Sequence, residues 1–424
     1  MPIEAADYAA FAMRVIADGW LPDPWLEGAP RLAPTPHVLT PASAARFCTA
    51  AEGVALAHDE LCRLLAAEPD LLEPLNLQPV QQALWWSSAP AWHGLARADV
   101  FETAQGGIQI CELNCDTPTG IAESVVLGRL LAAPGGADAN QTLLDRWVAL
   151  LRRAASARGK LDRSLTAGLV WPTEQTEDMP MLLLWRAALE DAGWRVVDGS
   201  PFNLGLGADG RATLLGTACD VVVRHYKTDW WAERRPAWRD EPPVPDSEPL
   251  LEPLRVLLEA EAAGATTIVN PMGAIVPQNK RFLALLWRHR DRLSEAGRRA
   301  VETWIPPTEL LEDVPAATLL AEQAAWVLKS DYGCEGDEVV VGAEVTAEVW
   351  QRALEQAVPG RWVAQRWFEA ARNAAGEQVN LGVYLIGGEA AGLLARRSRQ
   401  ATDQRAVMAT VQIANAQEEP DGRS

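Results

Sequence analysis

The stretch ICELNCDTPTG, residues 110–120, begins like a strand and ends like a turn. Glu112, Asn114 and Asp116 alternate within it, and a strand sets residues two apart on one side. A carboxylate beside a core is costly unless hydrogen bonds or a cation offset it. The stretch just upstream, ARADVFETAQGG (96–107), suggests where such an offset comes from. Gly106-Gly107 separates two extended runs, which is a hairpin signal. Arg97 and Asp99 share one face, and so do Ile108, Ile110, Glu112 and Asn114. Paired through that turn, Asp99 lies near Glu112 and Asn114. The face then carries one arginine, two carboxylates and one amide oxygen. Hard oxygens at this spacing suit Mg²⁺, which takes few protein ligands and completes its shell with water and phosphate. The same spacing also fits a structural Arg97–Glu112 cross-strand pair, and spacing alone slightly favours that alternative. In the turn, Asp116 and Thr117 precede Pro118. Thr119 is expected to cap a helix starting near Ile121, whose N-terminus would attract an anion.

The rest of the chain sets bounds on this hairpin's role. Its 424 residues exceed what one compact core usually holds, so two or three domains are expected. A hydrophobic share of 48% is ample for a core and argues against disorder. Eighteen tryptophans suggest large packed interfaces or planar-ligand pockets. The formal charge of −19 disfavours a nucleic-acid surface or an anionic membrane as partner. Six cysteines form no CxxC pair, and five histidines show no ligand spacing, which speaks against zinc. The N-terminus has no basic region ahead of an apolar run, so no signal peptide is expected. No apolar run reaches the about 18–20 residues of a membrane helix. A cytoplasmic protein with reduced thiols is the simplest expectation. Oligomeric state stays open.

Residues 41–68 and 121–158 show helical spacing, the latter split by AAPGGADAN. After residue 160 the pattern changes. AGLVWP (167–172), RVVDGSP (195–201) and CDVVVRHY (219–226) read as strands, with a helix over 177–194 between the first two. That order is a βαβ unit on a parallel sheet and places a Rossmann-like domain near 161–275. It lacks GxGxxG, so a dinucleotide is not implied. The Pro- and acid-rich segment 235–254 reads as a loop or lid. One amphipathic helix is expected over 279–297. Two strands flank the turn SDYGCEGDE (330–338), and a hairpin turns at Gly387-Gly388. The expected division is 1–160, a helical segment plus the hairpin; 161–275; 276–410; and a disordered tail from 411 to 424.

Several residues beyond the hairpin suit a nucleotide. Lys280 opens a helix and Lys329 ends a strand, each a point charge for phosphate. Gly333 and Gly336 lie in a turn able to close over phosphates. Gln365 ends a strand whose edge backbone could meet an adenine. Arg396, Arg397 and Arg399 lie close together within an acidic protein, beside Thr402. Each of these has an ordinary alternative: a simple hairpin for the glycine turn, a solvated basic end for the arginines.

Taken together, five blocks resemble the glutathionylspermidine synthase family, whose synthetase is a circularly permuted ATP-grasp fold. RADVF with CELNCDTPTG resembles the family's R-x-D strand and E-x-N-x-D-[ST]-x-[ST] turn. RHYKTDWW, VPQNKRFLALLW, VLKSDYGCEGDEV and LIGGEAAGLLARRSRQATD resemble its later blocks, in order. The family's amidase has no counterpart in residues 1–95. The resemblance implies an α/β (α+β) chain: an ATP-grasp with a Rossmann-like pre-ATP-grasp middle domain. It implies an ATP-dependent ligase joining a peptide-like or amino-acid carboxylate to an amine, polyamines included, through an acyl phosphate. By position, Asp99, Glu112 and Asn114 hold Mg²⁺, and Arg97 contacts the transferring phosphoryl group. Lys280 and Lys329 hold ATP phosphates, Gly333 and Gly336 belong to the phosphate loop, and Gln365 borders adenine. Thr117, Thr119, Thr228 and Arg396 match positions that grip the substrate. Two departures stand out. Cys334 replaces an arginine of the loop, with Arg397 or Arg399 as possible substitutes, and Ser330 replaces a proline after Lys329. They keep two alternatives open: an ATP-binding regulatory module without catalysis, and a phosphotransferase.

Overall fold

A computed structural model describes residues 5–132, 136–157, 159, 164–243, 247–333, 338–400 and 402–415. The hairpin read from the sequence is present, as strands Leu95–Glu102 and Ile108–Asn114. It pairs with strands from the far end of the chain. Gln378–Ile386 lies antiparallel on Leu95–Glu102, with Gly382 opposite Asp99 and Tyr384 opposite Arg97. Glu389–Ser398 and Val407–Ala414 extend the same seven-stranded sheet, and His37–Leu39 closes its edge. Early and late segments are thus joined in one sheet, as the resemblance to a circularly permuted fold implies.

One face of the sheet is apolar over most of its area. Ala98, Val100, Ile110, Leu113, Leu381, Val383, Leu393 and Ala395 are buried there in the main core. The helix Pro41–Ala67 supplies Phe47, Val54 and Leu61 to that core. Thr40 caps this helix, its hydroxyl accepting from the Ser43 N–H at 3.1 Å, and Pro41 opens it. The opposite face carries the polar residues of the site beside Leu95, Ile386 and Leu394, which belong to a second core.

The middle unit is a four-stranded sheet in the order Thr267–Val269, Val221–Arg224, Thr166–Val170, Arg195–Gly199, and every pairing is parallel. The helix Met179–Asp191 makes the first crossover. This is the expected Rossmann-like arrangement. The N-terminal helix Ala5–Asp18 and the helix Leu143–Ser156 share a second core with it, where Trp147 stacks on Trp185 at 4.9 Å. Residues before 160 are therefore divided between two cores rather than forming a body of their own.

The third unit is an antiparallel sheet in the order Thr308–Leu310, Trp362–Arg366, Trp326–Ser330, Val339–Val341. Its own core holds Trp326, Trp350 and Trp362.

Four expectations need correcting. The helix expected over 279–297 is two helices, Arg281–His289 and Glu295–Trp304, because Ser294 caps the second by accepting from the Gly297 N–H. The segment 235–254 is no free lid. Its last residues begin the helix Leu251–Ala262, and Ala237 is buried in the third core, where its carbonyl accepts from the Trp362 indole and the Val358 N–H. The final strand runs to Ala414, so residues 411–414 are sheet, not tail; residues 416–424 lie outside the described residues. Last, Ile108 and Ile110 do not share a face with Glu112, because the register shifts at Cys111. Asp99 faces Glu112, while Val100 faces Ile110. One extra residue in this bulge sends both isoleucines into the core and both polar residues to the other side.

Candidate active site

The polar face gathers around Asp99. Its Oδ1 accepts from Arg97 Nε at 2.9 Å and its Oδ2 from Arg396 Nη2 at 2.6 Å. Asn114 Nδ2 lies 3.4 Å from the same Oδ2. Burial alone would raise this carboxyl, but the charges of Arg396 and Arg97 outweigh it and hold the pKa down at about 2. Asp99 is thus ionised at neutral pH. Arg97 also donates to the Thr119 carbonyl at 3.0 Å, which accepts a second bond from the Tyr384 hydroxyl at 2.9 Å. Gly382 makes room for the arginine: a Cβ there would lie 2.8 Å from Arg97 Cδ.

Two lysines reach the hairpin from other elements. Lys280 Nζ lies 3.4 Å from Glu112 Oε2 and donates to the Gly333 carbonyl. Lys329 Nζ donates to the Cys111 carbonyl at 3.2 Å, at the bulge itself. The Gly333 N–H donates to the Ser330 hydroxyl, which in turn bonds Glu338. The serine that replaces proline therefore ties both arms of the loop. Gly336 and Cys334 lie outside the described residues.

The 116–120 turn is built against the Rossmann-like unit. Asp116 pairs with Arg224 at 2.6 Å and accepts from the Thr228 N–H at 2.7 Å. Gln278 Oε1 accepts from the N–H groups of Cys115 and Asp116. Asn270 fastens the hairpin at both ends. Its Oδ1 accepts from the N–H groups of Gly94 and Leu95, and its Nδ2 lies 2.8–2.9 Å from the carbonyls of Leu95, Cys115 and Asp116.

The structure therefore brings Arg97, Asp99, Glu112, Asn114, Lys280, Lys329, Gly333 and Arg396 together. Thr228 joins them through Asp116; its hydroxyl is buried with no hydrogen-bond partner among the described residues. The cross-strand Arg97–Glu112 pair does not form, since Arg97 bonds Asp99 and Glu112 faces Lys280. Thr119 does not cap the following helix. Gly120 holds that position with φ +86°, and Thr119 contributes its carbonyl to Arg97 and Tyr384 instead. Thr117 is half-buried in the same turn. Gln365 is buried, donates to Thr308 at 3.0 Å, and sits in a strand paired on both sides, so its backbone is not an open edge. Arg397 lies one residue on from Arg396 in the same strand and so points to the sheet's other face, and Arg399 is exposed. Neither stands beside Asp99.

Sequence reasoning missed Asn270, Arg224, Gln278 and Tyr384. Arg224 and Gln278 stood inside quoted blocks. Asn270 and Tyr384 carried no local signal, because their roles depend on partners more than a hundred residues away.

The donor set fits Mg²⁺ in kind: two carboxylates and an amide at paired positions, all hard oxygens. A metal would share Asp99 with its two arginines. Asn380 Oδ1 and Arg396 Nε, at directly paired strand positions, and Thr402 Oγ1 are also buried without partners among the described residues. Buried polar atoms of this kind call for a partner, which water or a ligand can supply. Among the described residues no helix is long and apolar enough to cross a membrane.

Comparison with known proteins gives three findings. A family model described as glutathionylspermidine synthase pre-ATP-grasp matches residues 66–413. Among solved structures, a glutathione synthetase-like effector (GSS30) from Globodera pallida in apo form has a TM-score of 0.62 at 9% identity, covering 97% of this chain and 98% of that one. A putative γ-glutamylcysteine synthetase from Methylobacillus flagellatus KT gives a TM-score of 0.46 at 12% identity, with 90% of each chain covered. No curated protein sequence matches. The chain belongs to the glutathionylspermidine synthase pre-ATP-grasp family.

Proposed function

We propose that this family member is an ATP-dependent ligase that joins a peptide-like or amino-acid carboxylate to an amine. The observation that carries this is the convergence of four cations and two carboxylates from separate elements. Arg97, Arg396, Lys280 and Lys329 surround Asp99 and Glu112. Transfer of a phosphoryl group needs this arrangement, because negative charge builds on its equatorial oxygens. Mg²⁺, held by Asp99, Glu112 and Asn114, supplies further neutralisation when bound.

In this proposal the substrate carboxylate attacks the γ-phosphorus of ATP, the bond to the β-phosphate oxygen breaks, and ADP leaves. Arg97 and Arg396 neutralise the moving group from the sheet side. Lys280 and Lys329 hold the ATP phosphates from the other side. The acyl phosphate is then attacked by the neutral amine. Phosphate leaves, the nitrogen loses a proton to solvent, and an amide remains. Thr117, Thr119 and Thr228, around the turn anchored by Asp116, position the acid.

A second proposal is a nucleotide-binding module without catalysis. It is favoured by one observation: with Cys334 in the loop, neither Arg397 nor Arg399 stands beside Asp99 to replace the missing arginine. The assignment of the metal face is tested by Asp99→Asn and Glu112→Gln, each expected to abolish Mg·ATP binding in a calorimetric titration. Wild-type affinity in both variants would overturn it.

A further inference from the structure

One cavity takes no part in the phosphoryl site. It has a volume of about 430 Å³ and lies where three parts of the chain meet. The helix Leu143–Ser156 gives Leu150 and Ala154, the helix Leu251–Ala262 gives Glu261, and the strand Thr267–Val269 runs along it. The link from Ser87 to Gly94, which leads into the hairpin, completes the wall. Such a volume falls within the about 300–1,000 Å³ of small-molecule sites. Most of its side chains are apolar, and no lysine or arginine lines it among the described residues.

Its polar groups are set to accept. The Ser87 hydroxyl gives its proton to the Leu84 carbonyl at 2.8 Å, and the Ser88 hydroxyl gives its own to the Ala91 carbonyl at 3.1 Å. Thr267 Oγ1 lies 3.5 Å from the Ala154 carbonyl. A hydroxyl whose proton is engaged has only lone pairs left. Glu261, which has a further interaction within the chain, adds a carboxylate. His93 lines the same space. Burial, and behind it the charge of His58, pushes its pKa down to about 4, so the ring is neutral at pH 7. Its Nε2 is buried with no hydrogen-bond partner among the described residues, and a neutral ring nitrogen can accept.

We propose that this cavity is a second ligand site, separate from the phosphoryl face, for a small primary amine on an apolar body, with Glu261 and His93 holding the ammonium. An ammonium carries three donors and no acceptor, so it complements a wall of acceptors, whereas an anion finds no cation there. The apolar body packs on Leu150, Ala154, Ile268 and Val269. Asn270 stands between this cavity and the 116–120 turn. A Cβ on Gly94 would lie 2.9 Å from Val269 Cγ1 and 3.2 Å from Asn270 Oδ1, and Asn270 Nδ2 reaches on to the Cys115 and Asp116 carbonyls. The site does not depend on the ligase proposal.

The test uses the full chain and calorimetric titration at pH 7 and fixed ionic strength, with three probes of similar shape. Phenethylamine carries an ammonium, 2-phenylethanol a neutral hydroxyl, and 3-phenylpropanoate a carboxylate. Wild type is expected to bind phenethylamine about tenfold or more tighter than the alcohol, and the carboxylate more weakly still. Ala154→Phe fills the cavity and abolishes phenethylamine binding, while Glu261→Gln brings it down to the level of the alcohol. Neither residue belongs to the phosphoryl site, and both variants keep wild-type Mg·ATP affinity, which also shows that they fold. Equal binding of amine and alcohol by wild type, or no saturable binding of the amine, would overturn the assignment. So would amine binding undiminished by Ala154→Phe, the result expected if the amine sits only at the acceptor position of the ligase. The ligase proposal fails separately, through unchanged Mg·ATP affinity in the Asp99 and Glu112 variants.

Discussion

Gly382→Ala tests the site through space alone. The glycine lies within a regular strand opposite Asp99 and does not have positive φ, so its backbone accepts alanine. The added Cβ would lie 2.8 Å from Arg97 Cδ, 3.2 Å from Cγ and 3.4 Å from Nε. Carbon atoms pack at about 3.5–4.0 Å, so the arginine stem must withdraw by roughly 0.7–1.2 Å. Its Nε then moves off Asp99, now at 2.9 Å, and its Nη1 off Thr119, now at 3.0 Å. A hydrogen bond to a charged group contributes about 1.5–3 kcal/mol. Replacing glycine recovers about 0.4–1 kcal/mol by restricting the unfolded chain. The net loss of stability is about 1–2 kcal/mol, whereas binding, in which the unfolded chain plays no part, loses the about 1.5–3 kcal/mol of the displaced bond. Titration with a non-hydrolysable ATP analogue and Mg²⁺ should show affinity reduced by about tenfold to a hundredfold. Circular dichroism should show an unchanged fold. Wild-type affinity in this variant would refute the placement of Arg97 against the phosphoryl group.

Three further outcomes are expected. Asp99 has its pKa lowered from 3.8 to about 2, so its stabilising contribution is present above about pH 4 and is lost as pH falls toward 2. That contribution is about 2 kcal/mol, and the stability gap between wild type and Asp99→Asn should shrink between pH 5 and pH 2.5 in denaturant titrations; a constant gap would contradict it. Asn270→Ala strands the buried N–H groups of Gly94 and Leu95 and the carbonyls of Cys115 and Asp116, and should cost about 3–5 kcal/mol in chemical denaturation, where a loss under 1 kcal/mol would refute its fastening role. Thr228→Val removes a buried hydroxyl that has no partner among the described residues, so stability should hold or rise by up to about 1 kcal/mol; a clear loss of stability in chemical denaturation would show that the hydroxyl serves the fold.

The sequence made the site's residue types legible because strand alternation is local. Arg97 with Asp99 and Glu112 with Asn114 needed only the period of two and a glycine turn. The bulge at Cys111 was not legible in that alternation. Carried through Ile108 and Ile110, it put apolar and polar residues on one face, and only pairing with Leu95–Glu102 shows where the extra residue sits. The parallel sheet was visible as apolar runs around a helix. The loop reading of 235–254 failed for a different reason. Proline and acid content describe local conformation, whereas Ala237 is held by Trp362 and Val358 from a distant unit. The helix break at Ser294 was readable in principle, since serine three residues before Gly297 is a capping position. Gln365 was misread as an open edge because nothing local announces the strand Thr308–Leu310 as its second partner. Asn270 shows the same limit: one buried amide serves five backbone groups, all of them more than a hundred residues away.

The central claim is that this site activates a carboxylate with ATP and passes it to an amine. It is tested most directly by following ADP and phosphate release across a panel of peptide-like and amino-acid carboxylates and amines, with Mg²⁺ present. The account predicts release of both products, in equal amounts, only when an acid and an amine are supplied together, with an amide as the third product. ATP binding without release for any pair would contradict it and favour the non-catalytic module. Full ADP release with acid alone would contradict it in favour of a phosphotransferase.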